Sequence, residues 1–356
     1  MADVTTPSRL PPRPTVSVIV PNYNYAKTLP ACLAAARAQS YPVSEIIVVD
    51  DASTDGSARI ARSAGCTVIE QPGNRGAAAA RNAGAAASSG DILFFLDSDV
   101  ALQPDAVGNA VDLLLADPSC GCVHGIYLAR PLVDDGPVEH CRILHTRYAL
   151  LRAAGYTKTL ISALCAIPRR VFAEIGPFDE RFRGAGGEDT DYSDRLAARY
   201  RILLTAAVAG RHDDDDRLLP LLRKQYRRGQ LLRFQAGHRF TPGAVKVNSL
   251  TRVLTAGLTA ATVPLGLLGL PWLAVPAGLA LLFALADPGL SRLVRRERGA
   301  AFLPYFTTVH FLVNLAILAG VAAGVVRAAV DPGFGPERPR RRRRATPGEQ
   351  PEAAGG

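Results

Sequence analysis

The chain has 356 residues, which is too long for one ordinary domain, so a core domain and a second region are expected. Its strongly apolar, charge-free sequence lies almost entirely between Val253 and Val326, and the net charge of +9 is concentrated in Arg292–Arg298 and Arg340–Arg344. Basic clusters beside apolar segments are typical of membrane contact. The arginine run lacks interleaved aromatic residues and the six cysteines form no CxxC pair, so neither nucleic-acid binding nor a zinc site is expected.

Strands and helices are predicted to alternate in the first hundred residues, after a flexible leader at 1–14. The predicted strands are short β-branched or aromatic runs bounded by turn residues: Val16–Val20, Glu45–Val49, Thr67–Glu70 and Asp91–Leu96. The predicted helices lie between them, at Thr28–Gln39, Ser57–Ala64 and Gly76–Ala87. Because alternating strands and helices form βαβ units, the predicted fold class is α/β with a largely parallel sheet.

The pattern is less regular after Asp99. Further helices are predicted at Pro104–Ala116, Val138–Ala153, Arg169–Ile175 and Asp189–Tyr200, and further strands at Gly121–Ala129, Thr159–Ile167 and Ile202–Val208. Residues 217–240 are predicted to form a basic amphipathic helix on a membrane surface. The soluble domain is therefore expected to extend from residue 15 to residue 240.

The apolar region predicts membrane helices over residues 250–330, with two or three spans. Val253–Ala286 is long and interrupted by three prolines, which indicates either a hairpin of two helices or one kinked helix. Phe302–Val326 has the length of a single span. We favour the hairpin, although the positive-inside rule does not decide between the two forms. A basic, disordered tail is expected at 331–356.

Two of the predicted strands end in carboxylates, at Asp50-Asp51 and at Asp97-Ser98-Asp99. Ligands of open α/β sheets bind beyond the carboxyl ends of the strands, so both groups are expected at one crevice. One or two carboxylates together with substrate phosphates are the ligands that Mg²⁺ prefers. The pattern therefore predicts that a metal ion and a nucleotide diphosphate bind at this crevice. The alternative for each acidic pair is a structural role in forming a turn or capping a helix.

A third acidic element, Glu188-Asp189, follows two glycines at the start of a predicted helix. Such a loop is able to position a general base, and helix capping by Asp189 is the alternative. Arg81 follows the glycine-containing segment 73–76 and is therefore a candidate partner of a diphosphate. The alternative is that Arg81 lies on a solvent-exposed helix face.

In their order along the chain, these segments resemble the family 2 glycosyltransferases, which have the GT-A fold, an α/β fold with a Rossmann-like mixed sheet. The resemblance covers roughly residues 17–229. It rests on five segments: Val18-Ile-Val-Pro-Asn-Tyr-Asn24, Ile47-Val-Val-Asp-Asp-Ala-Ser-Thr-Asp-Gly56, Asn74-Arg-Gly76 with Arg81-Asn82, Phe95-Leu-Asp-Ser-Asp99 and Gly187-Glu-Asp189.

The resemblance implies a role for each matching residue. It implies donor-nucleotide binding by Pro21, Tyr23, Asp50, Asp51, Arg81, Asp97 and Ser98. It implies a Mg²⁺ or Mn²⁺ site at Asp99, Asp97 and His212, with Asp189 as the general base and Glu188 as its neighbour on the acceptor side. The implied reaction is a single displacement that inverts the anomeric carbon.

The processive synthases of this family carry a Gln-x-x-Arg-Trp motif on a helix at the membrane surface. In this chain Gln225-Tyr-Arg-Arg-Gly229 keeps the glutamine and the arginine but ends in glycine. This departure favours the transfer of a single sugar over the synthesis of a polymer.

The expected function is thus that of an inverting, metal-dependent glycosyltransferase that uses a nucleotide-diphosphate sugar. The apolar helices favour a lipid-linked glycan as acceptor, and a soluble acceptor stays open. The alternatives are a polyprenyl-phosphate sugar transferase and a non-catalytic membrane scaffold of the same fold. A nucleotidyltransferase is a further alternative, but the lysine-bearing phosphate loop expected of it is missing.

The leader has no stretch that resembles a signal peptide. A multi-pass protein of the cytoplasmic membrane with a cytoplasmic catalytic domain is therefore expected.

Overall fold

The computed structural model describes residues 10–182, 187–232, 243–245, 247–331 and 334. The arginine run at 340–344, most of the predicted tail and the first nine residues of the predicted leader lie outside the described residues.

Within the described part of the chain, nine strands form one mixed sheet in the order β3-β2-β1-β4-β8-β6-β9-β5, with β7 paired to β9. The strands are β1 (Val16–Asn22), β2 (Glu45–Asp50), β3 (Thr67–Glu70), β4 (Ile92–Leu96), β5 (Val100–Leu102), β6 (Cys120–Tyr127), β7 (Gly155–Thr157), β8 (Leu164–Pro168) and β9 (Arg201–His212). β1 pairs in parallel with β2 and β4, and β2 with β3, as the α/β prediction requires. β8 is antiparallel to both of its neighbours, which makes the sheet mixed.

Eight helices of the described residues belong to the domain that contains the sheet. They are α1 (Leu29–Arg37), α2 (Ser57–Ser63), α3 (Ala77–Ala87), α4 (Ala106–Ala116), α5 (Pro137–Ala153), α6 (Arg169–Ile175), α7 (Glu188–Ala197) and α8 (Leu218–Gln230). The central strands are buried on both faces: Val18 and Phe94 belong to one apolar cluster, and Ile19 and Phe95 to the other. This burial explains why their sequences are continuous apolar runs.

The second half of the sheet differs from the prediction at one strand and adds two others. The strand predicted at Thr159–Ile167 begins only at Leu164, as β8, because hydrogen bonds within the turn and to α7 hold residues 157–160. The hydroxyl of Thr157 donates to the carbonyl of Thr159, and the amide of Leu160 donates to the hydroxyl of Ser193. β5 and β7 were not predicted, since three residues are too few to display an alternating pattern. The helix predicted at 217–240 is observed as α8, and residues 233–242 lie outside the described part.

The apolar region folds into α9 (Leu250–Thr262), α10 (Ala274–Leu285), α11 (Pro288–Arg298) and α12 (Leu303–Val330). Short 3₁₀ segments connect α9 to α10, and these two helices pack on each other, so residues 250–285 form the hairpin that the sequence favoured. By length and composition, Leu250–Leu268 and Ala300–Val330 are able to cross a membrane. The segment Leu270–Leu285 is long enough to cross a membrane only if Pro288–Arg298 is counted with it, and a bend of 69° separates the two.

Candidate functional site

The carboxyl ends of β1, β2 and β4 meet the start of α7 and the end of β9 at one edge of the sheet. This is where α/β sheets bind ligands. Three direct contacts join predicted site residues there: Arg81 to Asp97, Arg81 to Glu188, and Asp99 to His212.

Asp50 and Asp51 hold the backbone of this edge together. The Asp50 carboxylate accepts hydrogen bonds from the Asn22 amide group at 2.8 Å and from the backbone amide of Ser53 at 3.0 Å. Asp51 accepts from the amides of Arg75 and Gly76, at 2.8 and 2.7 Å, and so fixes the loop that leads into α3. Both acids are buried. Their hydrogen bonds show a structural role, and the predicted contact with the donor base stays a prediction.

The turn after β1 carries Tyr23 and Tyr25. Pro21 is a buried residue of β1, whereas Tyr23 is 45% exposed at its end. Asn24 has a φ of 59° and Ala52 a φ of 63°, backbone conformations that non-glycine residues rarely adopt. The backbone amide and the hydroxyl of Thr54 both donate hydrogen bonds to the side-chain oxygen of Asn24. These bonds hold the turn after β1 against the turn after β2. Such strain at a ligand-binding edge is often functional.

Arg81 is the buried cation of the site. It extends from α3, donates to Asp97 at 2.8 Å and lies 3.6 Å from the carboxylate of Glu188. Burial by itself would lower its pKa, but the charges of Asp97, Asp189 and Glu188 outweigh burial and raise the pKa. Arg81 therefore stays charged, and the alternative of a solvated helix face does not hold.

Asp97, Ser98 and Asp99 occupy the turn between β4 and β5. The backbone amide of Asp97 donates to the carbonyl of Ala163, and the carbonyl of Ser98 accepts from the hydroxyl of Thr28. Ser98 is buried, while the carboxylate of Asp97 is partly exposed to the crevice. These bonds fix the backbone so that the carboxylates on either side of Ser98 are held at the crevice.

Asp99 and His212 are brought together by the pairing of β5 with β9. The Asp99 carboxylate lies 3.7 Å from Nε2 of His212, whose ring stacks on Tyr127 with centroids 4.4 Å apart. Burial raises the pKa of Asp99 to about 6, against the lowering effect of His212. Among the described residues, the other carboxylate oxygen of Asp99 is buried without a hydrogen-bond partner.

The donor set at Asp97, Asp99 and His212 fits a divalent cation in its chemistry. Two carboxylates suit Mg²⁺ or Mn²⁺, and the unpartnered oxygen of Asp99 is an acceptor that a cation would satisfy. Within the described residues, no group of three His, Cys, Asp or Glu side chains is close enough to form a complete protein site. Phosphate oxygens and water would have to complete the coordination, as is usual for Mg²⁺.

Glu188 and Asp189 begin α7 and approach the crevice from the side opposite to β2. Glu188 is buried beside Arg81, and Asp189 accepts a hydrogen bond from the backbone amide of Ser162 at 3.3 Å. Burial raises the pKa of Asp189, with Arg81 opposing the shift. The second carboxylate oxygen of Asp189 has no hydrogen-bond partner among the described residues, so it is available to accept a proton.

Sequence reasoning missed three groups that the fold brings to the site. The phenol of Tyr25 hydrogen-bonds to Asp99, and the charge of Asp99, followed by burial, raises its pKa. Asp214 lies 4.0 Å from Nδ1 of His212 and 3.8 Å from Arg142. Burial would raise the pKa of Asp214, but Arg142 and His212 hold it at about 2. Tyr25 follows the segment Val18–Asn24 directly, and Asp214 belongs to the run of four aspartates after His212, whereas Arg142 carries no distinguishing signal in the sequence.

Part of the chain is similar to known glycosyltransferases. Residues 17–176 match the model described as Glycosyl transferase family 2. An uncharacterized glycosyltransferase of Haemophilus influenzae is 30% identical over 184 residues, which cover 50% of this chain and 60% of that protein. Glycosyltransferase AglE of Haloferax volcanii is 44% identical over 93 residues, 24% of this chain and 31% of that protein. The chain thus spans 60% or less of the length of either relative.

Among solved structures, the mannosyltransferase PcManGT of Pyrobaculum calidifontis, in complex with GDP-Man and Mn²⁺, superposes with a TM-score of 0.54. The sequence identity is 24%, and the superposition covers 92% of this chain and 91% of that one. At this level of identity the similarity shows a common fold.

Proposed function

We propose that the chain transfers a single sugar from a nucleotide-diphosphate sugar to a hydroxyl group of a membrane-associated acceptor. Residues 17–176 match the family 2 glycosyltransferase model, and the mixed α/β sheet is that of the GT-A fold predicted from the sequence. The observation that supports this most directly is the crevice itself. One buried cation, Arg81, links Asp97 on the donor side to Glu188 and Asp189 on the acceptor side.

The donor half of the proposal rests on the edge formed by β1, β2 and β4. Pro21, Tyr23, Asp50 and Asp51 would bind the nucleotide there. The structural neighbour was solved with GDP-Man and Mn²⁺, which supports a nucleotide-sugar donor of some kind for this fold.

The proposed cofactor is Mg²⁺ or Mn²⁺, held by Asp99 and Asp97 with His212 beside them. When bound, the cation would neutralise the charge of the departing diphosphate. Tyr25 would orient Asp99 through its hydrogen bond, and Arg81 would hold Asp97 in position while adding positive charge near the diphosphate.

The acceptor half of the proposal rests on Asp189. Its carboxylate would take the proton of an acceptor hydroxyl, and the hydroxyl oxygen would form its bond to the anomeric carbon as the bond from that carbon to the diphosphate breaks. This single displacement inverts the anomeric centre. The raised pKa makes Asp189 a stronger base than an exposed carboxylate.

We further propose that the reaction takes place at the cytoplasmic face of the cell membrane and that the acceptor is a lipid-linked glycan. The two candidate apolar helices support membrane association. A polyprenyl phosphate is the alternative acceptor, and it would need no general base because the phosphate is already ionised.

The proposal is tested by incubating the full-length protein with a panel of nucleotide sugars and Mn²⁺ and measuring released nucleoside diphosphate and glycosylated membrane lipid. We expect Asp189→Asn to lower transfer by about a hundredfold or more while nucleotide binding persists, because general-base catalysis contributes that much. Asp112→Asn, on the exposed face of α4, is the matched control and should keep full activity. Full activity of the Asp189→Asn variant would refute the base and favour a phosphate acceptor. Failure of every donor to bind would refute the transferase itself.

A further inference from the structure

The C-terminal helices are arranged in layers on the glycosyltransferase domain. α12 packs against α5 and α8 on one side and against α9 on the other, and α9 in turn packs against α10. Phe283 of α10 also contacts α12, with its ring centroid 5.2 Å from that of Phe311. The α9–α10 hairpin is therefore the outermost layer, and α12 lies between the hairpin and the domain.

Glycines bring α12 and α8 into backbone contact. A Cβ atom at Gly229 would lie 2.6 Å from the carbonyl oxygen of Ile317, and Cβ atoms at Gly320 and Gly324 would overlap the backbone of α8 at Tyr226 and Gln230. Because position 226 faces 320 and position 230 faces 324, the two helices run side by side in the same direction. They must therefore lie at the same depth relative to a membrane.

The outer face of α8 is strongly basic, and this limits where α12 is able to lie. Arg223 and Arg227, four residues apart, are exposed on α8. A lipid-exposed arginine in the hydrocarbon of a bilayer is strongly disfavoured. α12 itself, between residues 309 and 324, exposes only Ala319 and Ala322. The centre of α12 thus has the domain on one side and the hairpin on the other, beside a helix that requires water or lipid headgroups.

The hairpin has the opposite character. From residue 253 to residue 286 it contains no charged side chain. Its outer surface carries a leucine stripe on α9, large apolar side chains at the turn and further leucines on α10. The exposed members are Leu250, Leu254, Leu258, Val263, Leu267, Leu268, Leu270, Trp272, Leu273, Val275, Leu281, Leu282 and Leu285. At Leu267 the side chain is 90% exposed. An apolar surface of this size is typical of membrane contact.

Both ends of the hairpin are tied to the same side of the molecule. Near its start, Arg252 lies 2.7 Å from Nε2 of His310 on α12. At its end, Asp287 accepts a hydrogen bond from Tyr148 of α5 at 2.5 Å and pairs with Arg152 at 3.4 Å. The chain therefore leaves and re-enters the domain surface on one side.

We propose that the outer face of the hairpin inserts into the hydrocarbon of one membrane leaflet and that α12 does not cross the membrane. A lipid leaflet fits this face better than a second copy of the chain. The charge-free hairpin is followed at once by α11, which exposes Arg295, Arg296 and Arg298 and so offers cations to anionic headgroups. This attachment goes beyond the proposed function and differs from the multi-pass arrangement predicted from hydropathy.

The first test locates the two ends of α12. Full-length protein with one protease site inserted at Gly299, between α11 and α12, and another, followed by an epitope tag, after Gly356 is placed in sealed membrane vesicles of a single orientation. If α12 does not cross, protease cuts both sites from the same face, or neither until detergent is added. Cleavage of only one site in sealed vesicles would overturn the proposal. The result does not depend on catalytic activity.

The second test uses Trp272, which is the only tryptophan of the chain and lies at the turn of the hairpin. The full-length protein is added to vesicles of equal parts phosphatidylcholine and phosphatidylglycerol that carry bromine in the middle of the acyl chains. We expect a blue-shifted and quenched Trp272 emission. A shift that depends on protein concentration, without bromine quenching, would indicate a second copy instead and overturn the proposal.

Matched glutamate variants identify the face that binds. Leu268 on the hairpin and Leu219 on α8 have nearly equal exposure, 68% and 65%. Leu268→Glu should weaken binding to these vesicles by at least about tenfold, because it places a charge in the hydrocarbon. Leu219→Glu should leave binding unchanged, and equal weakening by both variants would contradict the assignment.

Discussion

Arg81 is a residue whose function depends on what surrounds it rather than on its position in a helix. Its neighbours on α3 are mostly small, and α3 packs on β1 and β2, which buries the guanidinium. A buried cation without partners is costly, and here three carboxylates lie around it. The same carboxylates belong to both halves of the proposed reaction, so Arg81 couples the donor side of the site electrostatically to the acceptor side.

Replacing Arg81 by glutamine should move the pH dependence of transfer. Asp189 acts as a base only when it is deprotonated, so activity rises with pH through its pKa. The charge of Arg81 lowers that pKa, and its removal should shift the acidic limb of the kcat/KM profile upward by about one pH unit or more. Arg75→Gln, which removes an exposed arginine paired with Glu180, is the control. An unchanged acidic limb in the Arg81→Gln variant would contradict this coupling.

At the scale of elements, the contact between α8 and α12 joins the enzyme domain to the apolar region. It depends on the absence of side chains at Gly229, Gly320 and Gly324. Gly229 is the position at which processive synthases of the family carry tryptophan, and the structure supplies a physical reason for glycine in this chain. Any larger residue there would push α8 away from the backbone of α12.

Gly229→Ala should therefore destabilise the protein although alanine favours helices. Its Cβ atom would meet the carbonyl oxygen of Ile317 at 2.6 Å, and such overpacking typically costs about 1–3 kcal/mol. Gly278→Ala on α10 is the matched control, since a Cβ atom there would meet no atom within 4 Å. Thermal unfolding in detergent should show a lower Tm for the first variant and an equal or higher Tm for the second. Equal Tm values would argue against the close helix contact.

At the scale of the whole molecule, the crevice lies between two parts of the sheet with different topology. The parallel strands β1, β2 and β4 supply the donor side, and the end of β9 with the start of α7 supplies His212, Glu188 and Asp189. A ligand that binds both sides would therefore stabilise the domain as a unit.

Nucleoside diphosphate and Mn²⁺ together should raise the Tm more than either does alone. At a ligand concentration of a hundred times Kd the stabilisation is about 2.7 kcal/mol, which corresponds to roughly 5–10 °C for a domain of this size. Asp99→Asn should remove the part of the shift that depends on Mn²⁺ and leave the part due to nucleotide alone. A shift of full size in the presence of a chelator would contradict metal-assisted binding.

The sequence alone was sufficient for the parallel half of the fold and for the position of the acids. The strands β1, β2 and β4 are apolar runs that end in turn residues, because strands buried on both faces can hold little else. The rule that ligands bind at the carboxyl ends of such strands then placed Asp50, Asp51, Asp97 and Asp99 at one edge. These inferences needed only local patterns and a general property of α/β sheets.

The remaining features depend on contacts between residues far apart in the chain, which no local pattern encodes. The burial of Arg81, the hydrogen bond of Tyr25 to Asp99 and the pairing that brings His212 to Asp99 all arise from packing between separate elements. Hydropathy identified the apolar helices because it measures composition. Only the tertiary structure showed that α12 packs between the domain and the hairpin while the hairpin keeps an exposed apolar face, because hydropathy does not record what covers a helix.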